Sequence, residues 1–452
     1  VLAGVGIKAL LAPRPWPTPT TAWAVTATKA AAGVMVTASH NPPAYNGYKV
    51  YWGNGAQIIP PHDHGIAAEI AKVGRSDELP MPPLTDKHIV HLDESLHDRY
   101  LGAVVALRAQ PELDGSALVI AYTPLHGVGA PSVEAAMKLA GFPNLHTEPS
   151  QRAGDPDFPT VAFPNPEEKG AMDLVLALAT GVRADLVLAN DPDADRLCVA
   201  VPDGGGYKLL TGDQVGALLA DYLLEVSPKD KRMVATTIVS SQLLSYLAKQ
   251  AGADYRETLT GFKWIGNAAI DFETSTRGRF VMGYEEALGY SVGPLVRDKD
   301  GVSACMIFAE LTAWNRARGR AVLEHLDDIY RRGGLFVTEQ VSLTKPGSEG
   351  IAEIRAAMNR FRAEPPTQVA GFAIEQVVDL AKGEGGLPPS DVLVFKLAGG
   401  RRIIMRPSGT EPKLKSYYEV RVDVAEGESI TAARARGQAE LAKLRDAHQS
   451  AI

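Results

Sequence analysis

The sequence predicts a multidomain α/β protein: three α/β domains with mixed sheets, then a C-terminal α+β domain. Three observations carry this prediction. First, 452 residues exceed one ordinary core at roughly 100–200 residues per domain. Second, short β-rich apolar runs at 34–36, 118–121, 186–189 and 234–239 alternate with helix-period segments at 132–140 and 214–224, the pattern of α/β layers with largely parallel pairing. Third, the C-terminal runs VLVFKL, GRRIIMRP and SYYEVRVDV follow one another with no helix between them, ahead of the helical ITAARARGQAELAKLRDAHQ, which predicts an antiparallel sheet with a terminal helix.

Boundaries fall where Gly, Pro and charge concentrate, at QPELDGS, PDGGGYK and RRGGLFV, giving segments 1–112, 113–206, 207–333 and 334–452. The opening VLAGVGIKALLAPRPW reads as a helix end entering a strand, so a preceding N-terminal piece is expected. Composition narrows the function. Lys and Arg number 46 against 53 Asp and Glu, and the net charge of -7 argues against nucleic-acid or anionic-membrane binding. No apolar run approaches the ~18 residues of a membrane span. Only Cys198 and Cys305 are present, in apolar settings, which excludes a disulfide framework and fits a reducing cytoplasm.

Four stretches offer chemistry. TASHNP (37–42) follows an apolar strand and presents Ser39 beside His40; without G-x-S-x-G it is not a hydrolase elbow, and alone it reads as a polar turn closed by Asn41 and Pro42. NDPDADR (190–196) places Asp191, Asp193 and Asp195 at alternate positions behind a strand. Carboxylates so spaced repel one another unless a hard cation joins them, which suits Mg²⁺; a calcium EF-hand fails because Arg196 and Pro202 stand where Gly and Glu are needed. GYEEALGY (283–290) sets Glu285 and Glu286 between glycines, as acceptors for sugar hydroxyls or as exposed turn charges. RPSGTEPK (406–413) supplies Arg406, Ser408, Gly409 and Thr410, a side-chain and N–H set able to wrap a phosphate. A Walker-type phosphate loop is absent from the sequence.

In this order the four stretches resemble the site loops of the α-D-phosphohexomutase superfamily, the phosphoglucomutases and phosphomannomutases. TPLHGVG (123–129), TGFKWIG (260–266) and RDKDGVSA (297–304) resemble the subgroup with bacterial α-phosphoglucomutases and phosphopentomutases. The resemblance implies a heart-shaped four-domain architecture with one loop per domain at a central cleft. It implies that Ser39 is the phosphoserine, holding Mg²⁺ together with Asp191, Asp193 and Asp195, and that Arg196 steadies this charge cluster. Lys49 matches a position of proton transfer or phosphoryl stabilisation, and His40 lines the cleft. Lys263, Glu285 and Glu286 would bind the sugar, and Arg406, Ser408, Gly409 and Thr410 its distal phosphate.

The implied activity moves phosphate between O1 and O6 of a hexose through a sugar bisphosphate such as glucose 1,6-bisphosphate, which also serves as activator. Sugar phosphates are the partners, and the chain would be a monomer or homodimer. Two features depart from the family: its Gly-Leu-Arg-Gly-like strand would lie before residue 1, and Ala287 stands where relatives often carry Ser. A phosphopentomutase and a catalytically silent sugar-phosphate binder are the alternatives.

Overall fold

The computed structural model describes residues 1–345, 347–408 and 412–452. It contains two compact units, Val1–Ala235 with Gly261–Val322, and Thr236–Thr260 with Leu323–Ile452.

In the first unit the strand Ala9–Leu11 pairs in parallel with Ile89–His91. Helix Thr18–Ala27 follows, with Pro17 as its N-cap and Pro19 in its first turn, positions where the missing N–H of proline costs nothing. Strands Ala32–Val36 and Tyr48–Trp52 then form an antiparallel hairpin whose last pair, Val36 with Tyr48, opens the loop carrying Ser39. The predicted strand at 34–36 is therefore present, but the first segment builds two separate two-stranded sheets.

A five-stranded sheet follows, in the order Leu145–Thr147, Ile120–Thr123, Leu186–Ala189, Cys198–Asp203, Gly206–Leu209. The first three strands are parallel and the last two antiparallel, so pairing is less parallel than the alternation predicts. Ile120–Thr123 and Leu186–Ala189 are buried at every position, as expected of strands covered on both faces. The loop 190–196 thus leaves the carboxyl end of a central strand, where open α/β sheets place their sites.

Further along, strands Arg279–Glu285 and Gly289–Val292 form a hairpin with Glu286 in its turn. Helix Phe262–Thr276 packs Phe262, Ile265, Ala269 and Phe272 against Met233, Ala235 and Phe280. Helix Gly301–Arg316 is capped by Asp300, whose carboxylate accepts from Val302 N and Ser303 N. The two thiols are buried, and burial pushes Cys198 up to about 12.

The second unit holds a wholly antiparallel six-stranded sheet in the order Leu335–Thr344, Lys413–Val422, Arg401–Pro407, Leu393–Leu397, Phe372–Asp379, Gln368–Val369. The three C-terminal apolar runs are its centre, and the predicted terminal helix is Ile430–Gln449, N-capped by Ser429. The α+β reading of this region matches the structure.

Candidate active site

The serine loop and the metal loop meet inside the first unit. Ser39 sits at φ 53°, a left-handed conformation uncommon outside glycine, and its N–H donates to Thr37 Oγ1 at 2.8 Å. This bend carries the Ser39 hydroxyl across 152 positions of sequence to donate to Asp191 Oδ2 at 3.3 Å, with His40 Nδ1 3.2 Å away. Ala194, in the turn of the metal loop, also has positive φ, 55°. Backbone strain of this kind collects where a loop must present groups rather than relax.

Asp191, Asp193 and Asp195 are 0–3% exposed, and each offers an oxygen within 4.8 Å of the others. Lys49 Nζ donates to Asp193 Oδ2 at 2.8 Å and Asp195 Oδ2 at 2.5 Å. Arg196 Nε stands 3.8 Å from Asp191 Oδ2 and 4.0 Å from Asp195 Oδ1, while the Arg196 backbone N–H donates to Asp191 Oδ1 at 3.1 Å. Asp193 Oδ1 and Asp195 Oδ1 remain buried with no hydrogen-bond partner.

The electrostatics follow from this crowding. Burial, and then the two neighbouring aspartates, push Asp191 well above the usual carboxylate range. Burial also acts to raise Asp195, but Lys299, Lys49 and Arg196 overcome it and hold the group below that range. Burial works against the charge on Lys49, yet Asp193 and Asp195 prevail and hold it well above an ordinary lysine, a cation at neutral pH. Burial, helped by Arg196, lowers His40 to about 4, so its ring is neutral at pH 7.

Two orphaned buried oxygens among three converging carboxylates form a donor set suited to a hard divalent cation. The residues present fit Mg²⁺.

Five participants were not singled out as site residues from the sequence. Thr18 Oγ1 donates to Asp193 Oδ2 at 2.6 Å. Lys299 Nζ lies 3.3 Å from Asp195 Oδ2 and 3.6 Å from Asp298 Oδ1. Asp298 Oδ2 in turn accepts from Tyr51 and Gln57, both at 2.7 Å, which binds the serine hairpin to the 297–301 segment. Only Lys299 and Asp298 left a sequence signal, the RDKDG stretch.

The hairpin carrying Glu285 and Glu286 touches the 190–196 loop through Leu197 N donating to Leu288 O at 3.0 Å and a bridge between Arg196 and Gly289. A Cβ on Gly289 would stand 2.3 Å from Lys299 Cδ, so this glycine makes room for the lysine stem. Glu285 Oε1 accepts from Gly261 N at 2.7 Å, ahead of helix Phe262–Thr276. Glu286 occupies the hairpin turn, its carbonyl oxygen 1.8 Å from where a Cβ on Gly212 would lie. Lys263 is half-buried in the first turn of that helix, its Nζ over the Trp264 ring at 5.7 Å. In the second unit Arg406 lies in the ladder opposite Lys415, and Ser408 N donates to Lys413 O at 2.8 Å. Gly409 and Thr410 lie outside the described residues.

Models of all four phosphoglucomutase/phosphomannomutase domains match the chain: domain I at residues 1–76, II at 98–205, III at 211–332 and the C-terminal domain at 350–437. The chain belongs to the phosphoglucomutase/phosphomannomutase family. It is thus a member of an enzyme family of phosphomutases, isomerases by class. A probable phosphomannomutase of Haemophilus influenzae is 41% identical over 426 residues, covering 93% of this chain and 84% of the relative. A probable phosphoribomutase of Schizosaccharomyces pombe is 39% identical over 433 residues, covering 88% and 72%. A crystal structure of a putative phosphomannomutase from Thermus thermophilus shares the fold, with a TM-score of 0.72 and 24% identity over 98% of this chain and 84% of that one. Among the described residues no helix is long and apolar enough to cross a membrane.

Proposed function

We propose that this phosphomutase moves phosphate between O1 and O6 of a hexose, glucose or mannose, by a Mg²⁺-dependent reaction with Ser39 as phosphoryl carrier. The observation that carries the reading is the Ser39 hydroxyl 3.3 Å from Asp191, beside two aspartates that each keep one buried oxygen unpaired.

The charges support it. Four carboxylates, Asp191, Asp193, Asp195 and Asp298, face three cations, Lys49, Arg196 and Lys299, so the bare cluster carries no excess of cation. A phosphate dianion on Ser39 would add negative charge, and a divalent cation on the orphaned oxygens would offset it. Mg²⁺, when bound there, supplies charge to the transferring oxygens, which is most of what phosphoryl transfer demands.

In the first half-reaction the bond from phosphorus to Ser39 Oγ would break as one to a sugar hydroxyl forms, the hydroxyl proton ending on Ser39 Oγ. In the second, the other phosphoryl group of the bisphosphate would bond to Ser39 Oγ as its bond to the sugar oxygen breaks, and the Ser39 proton would end on that oxygen. Lys49, held cationic, neutralises the group in flight rather than carrying protons. Glu285 and Glu286 would take sugar hydroxyls with Lys263 alongside. Arg406, Ser408, Gly409 and Thr410 would grip the phosphate at rest while the bisphosphate turns over. Domain boundaries are placed at 112, 206 and 333; the matched segments 1–76, 211–332 and 350–437 each lie within one resulting piece, whereas 98–205 begins ahead of the first boundary.

A pentose is the second reading, favoured by the likeness to the phosphoribomutase. Phosphorus NMR on the chain with Mg²⁺ and a trace of glucose 1,6-bisphosphate, against the 1-phosphates of glucose, mannose and ribose, tests both. Conversion of a hexose phosphate supports the first reading; conversion of ribose 1-phosphate alone replaces it with the second.

A further inference from the structure

One of the two oxygens of Asp193 is tied down and the other is not. Oδ2 accepts from Thr18 Oγ1 at 2.6 Å and from Lys49 Nζ at 2.8 Å, whereas Oδ1 is buried without a partner. Thr18 also donates its backbone N–H to the Asp193 carbonyl at 2.9 Å. One residue therefore holds both the main chain and the side chain of a carboxylate 175 positions away.

Thr18 is well made for this. It is the first residue of helix Thr18–Ala27, fully buried, and its N–H is one of the donors that a helix N-terminus leaves without an internal partner. The helix start favours the negative charge it faces. Lys49 cannot fix the carboxylate alone, because its single ammonium is divided between Asp193 and Asp195 and would be drawn to a phosphoryl group on Ser39. The Thr18 hydroxyl is neutral, and its hydrogen bond to Asp193 does not depend on where that ammonium turns.

We propose that Thr18 is a positioning residue of the metal centre: by holding Asp193 Oδ2 it turns Oδ1 toward the divalent cation. Outer partners that orient metal-ligating carboxylates act in this way. The inference rests on the Mg²⁺ reading of the three aspartates.

The test is a titration of the full chain with Mn²⁺ alone, followed by electron paramagnetic resonance, with the phosphorylation state of Ser39 equalised and checked by intact mass. Thr18→Val keeps the shape and removes the donor; Thr18→Ser keeps the donor. Thr18→Val is expected to weaken Mn²⁺ binding by about 10-fold or more, with Thr18→Ser close to the parent. The same variant should need more Mg²⁺ for half-maximal turnover while approaching the parent rate at saturation. Parent-like binding by Thr18→Val overturns the proposal, and so does equal loss in Thr18→Val and Thr18→Ser, which would assign the effect to packing. If Thr18→Val does not fold, Thr18→Ala carries the same expectation against Thr18→Ser. Absence of Mn²⁺ binding by the parent chain would instead overturn the metal reading itself, and this inference with it.

Discussion

The metal loop 190–196 and the neighbouring segment 297–301 are both runs of alternating, buried aspartates, yet they end in different states. Asp298 is saturated: Tyr51 and Gln57 share one oxygen, and the other takes Lys299 N at 2.8 Å with Lys299 Nζ 3.6 Å away. Asp300 spends one oxygen on Tyr100 and two helix N–H groups and leaves the other unpaired, but among the described residues it belongs to no cluster of three metal-ligating side chains. In the metal loop three carboxylates converge, and two of their oxygens stay empty-handed. The difference separates a brace from a ligand set. Burial of a charge is compatible with either role; convergence of unsatisfied oxygens is not needed for a brace, and it costs stability that a bound cation would return.

The largest effect should come from the centre of the ligand side. Ser39→Ala removes the only atom that accepts the phosphoryl group in this account, and turnover should fall by at least about 10³-fold with the melting temperature unchanged. Steady-state kinetics beside a thermal melt would show whether activity survives.

Next comes a pair of substitutions that sets the two segments against each other. Asp191→Asn should weaken divalent-cation binding by roughly 10²-fold, since an outright ligand is lost, while the metal-free protein becomes no less stable because a buried carboxylate crowded by two others is neutralised. Asp298→Asn should do the reverse, costing about 3 kcal/mol in denaturant unfolding as Tyr51, Gln57 and Lys299 lose a charged acceptor, with cation affinity little changed. Equal behaviour of the two variants would erase the distinction.

The smallest effect concerns a buried group that is neither brace nor ligand. His448, in the second unit, pairs Nδ1 with Tyr418 Oη at 2.7 Å and leaves Nε2 bare, and burial lowers it to about 4. Its folded value lies below its unfolded value, so it contributes stability that is fully present above about 6.5 and is lost as pH falls toward 4. Between pH 7 and pH 5 the loss should reach about 2 kcal/mol for this unit. Unfolding curves at the two pH values would show it, and His448→Gln should flatten the difference.

How much of this was legible in the sequence differs by range. The 190–196 loop could be singled out because strand, turn and carboxylates are contiguous in ADLVLANDPDADR; the serine loop in GVMVTASHNP reads alone as a polar turn and is singled out only through the family resemblance. The C-terminal sheet, like the 190–196 loop, was readable from contiguous residues. Thr18 was not, because PTPTTAW carries no mark of an aspartate 175 residues on, and its role appears only when the helix start meets the loop. Tyr51 and Gln57 carry no local sequence mark of Asp298, which lies 247 and 241 residues on, respectively, and 2.7 Å from both. The parallel character of the sheets was overestimated because alternation in sequence does not reveal that Cys198–Asp203 returns beside Leu186–Ala189 as an antiparallel neighbour.

The proposed chemistry depends on Ser39 as the phosphoryl carrier beside the three aspartates. The most direct measurement is peptide-mapped mass spectrometry of the chain after brief exposure to glucose 1,6-bisphosphate, with Mg²⁺ and with a chelator in its place. One phosphoryl group on Ser39, formed with Mg²⁺ and lost on addition of excess sugar 6-phosphate, is the expected result. Phosphorylation at another residue, or none on Ser39 in folded protein that nevertheless converts sugar phosphates, would contradict it.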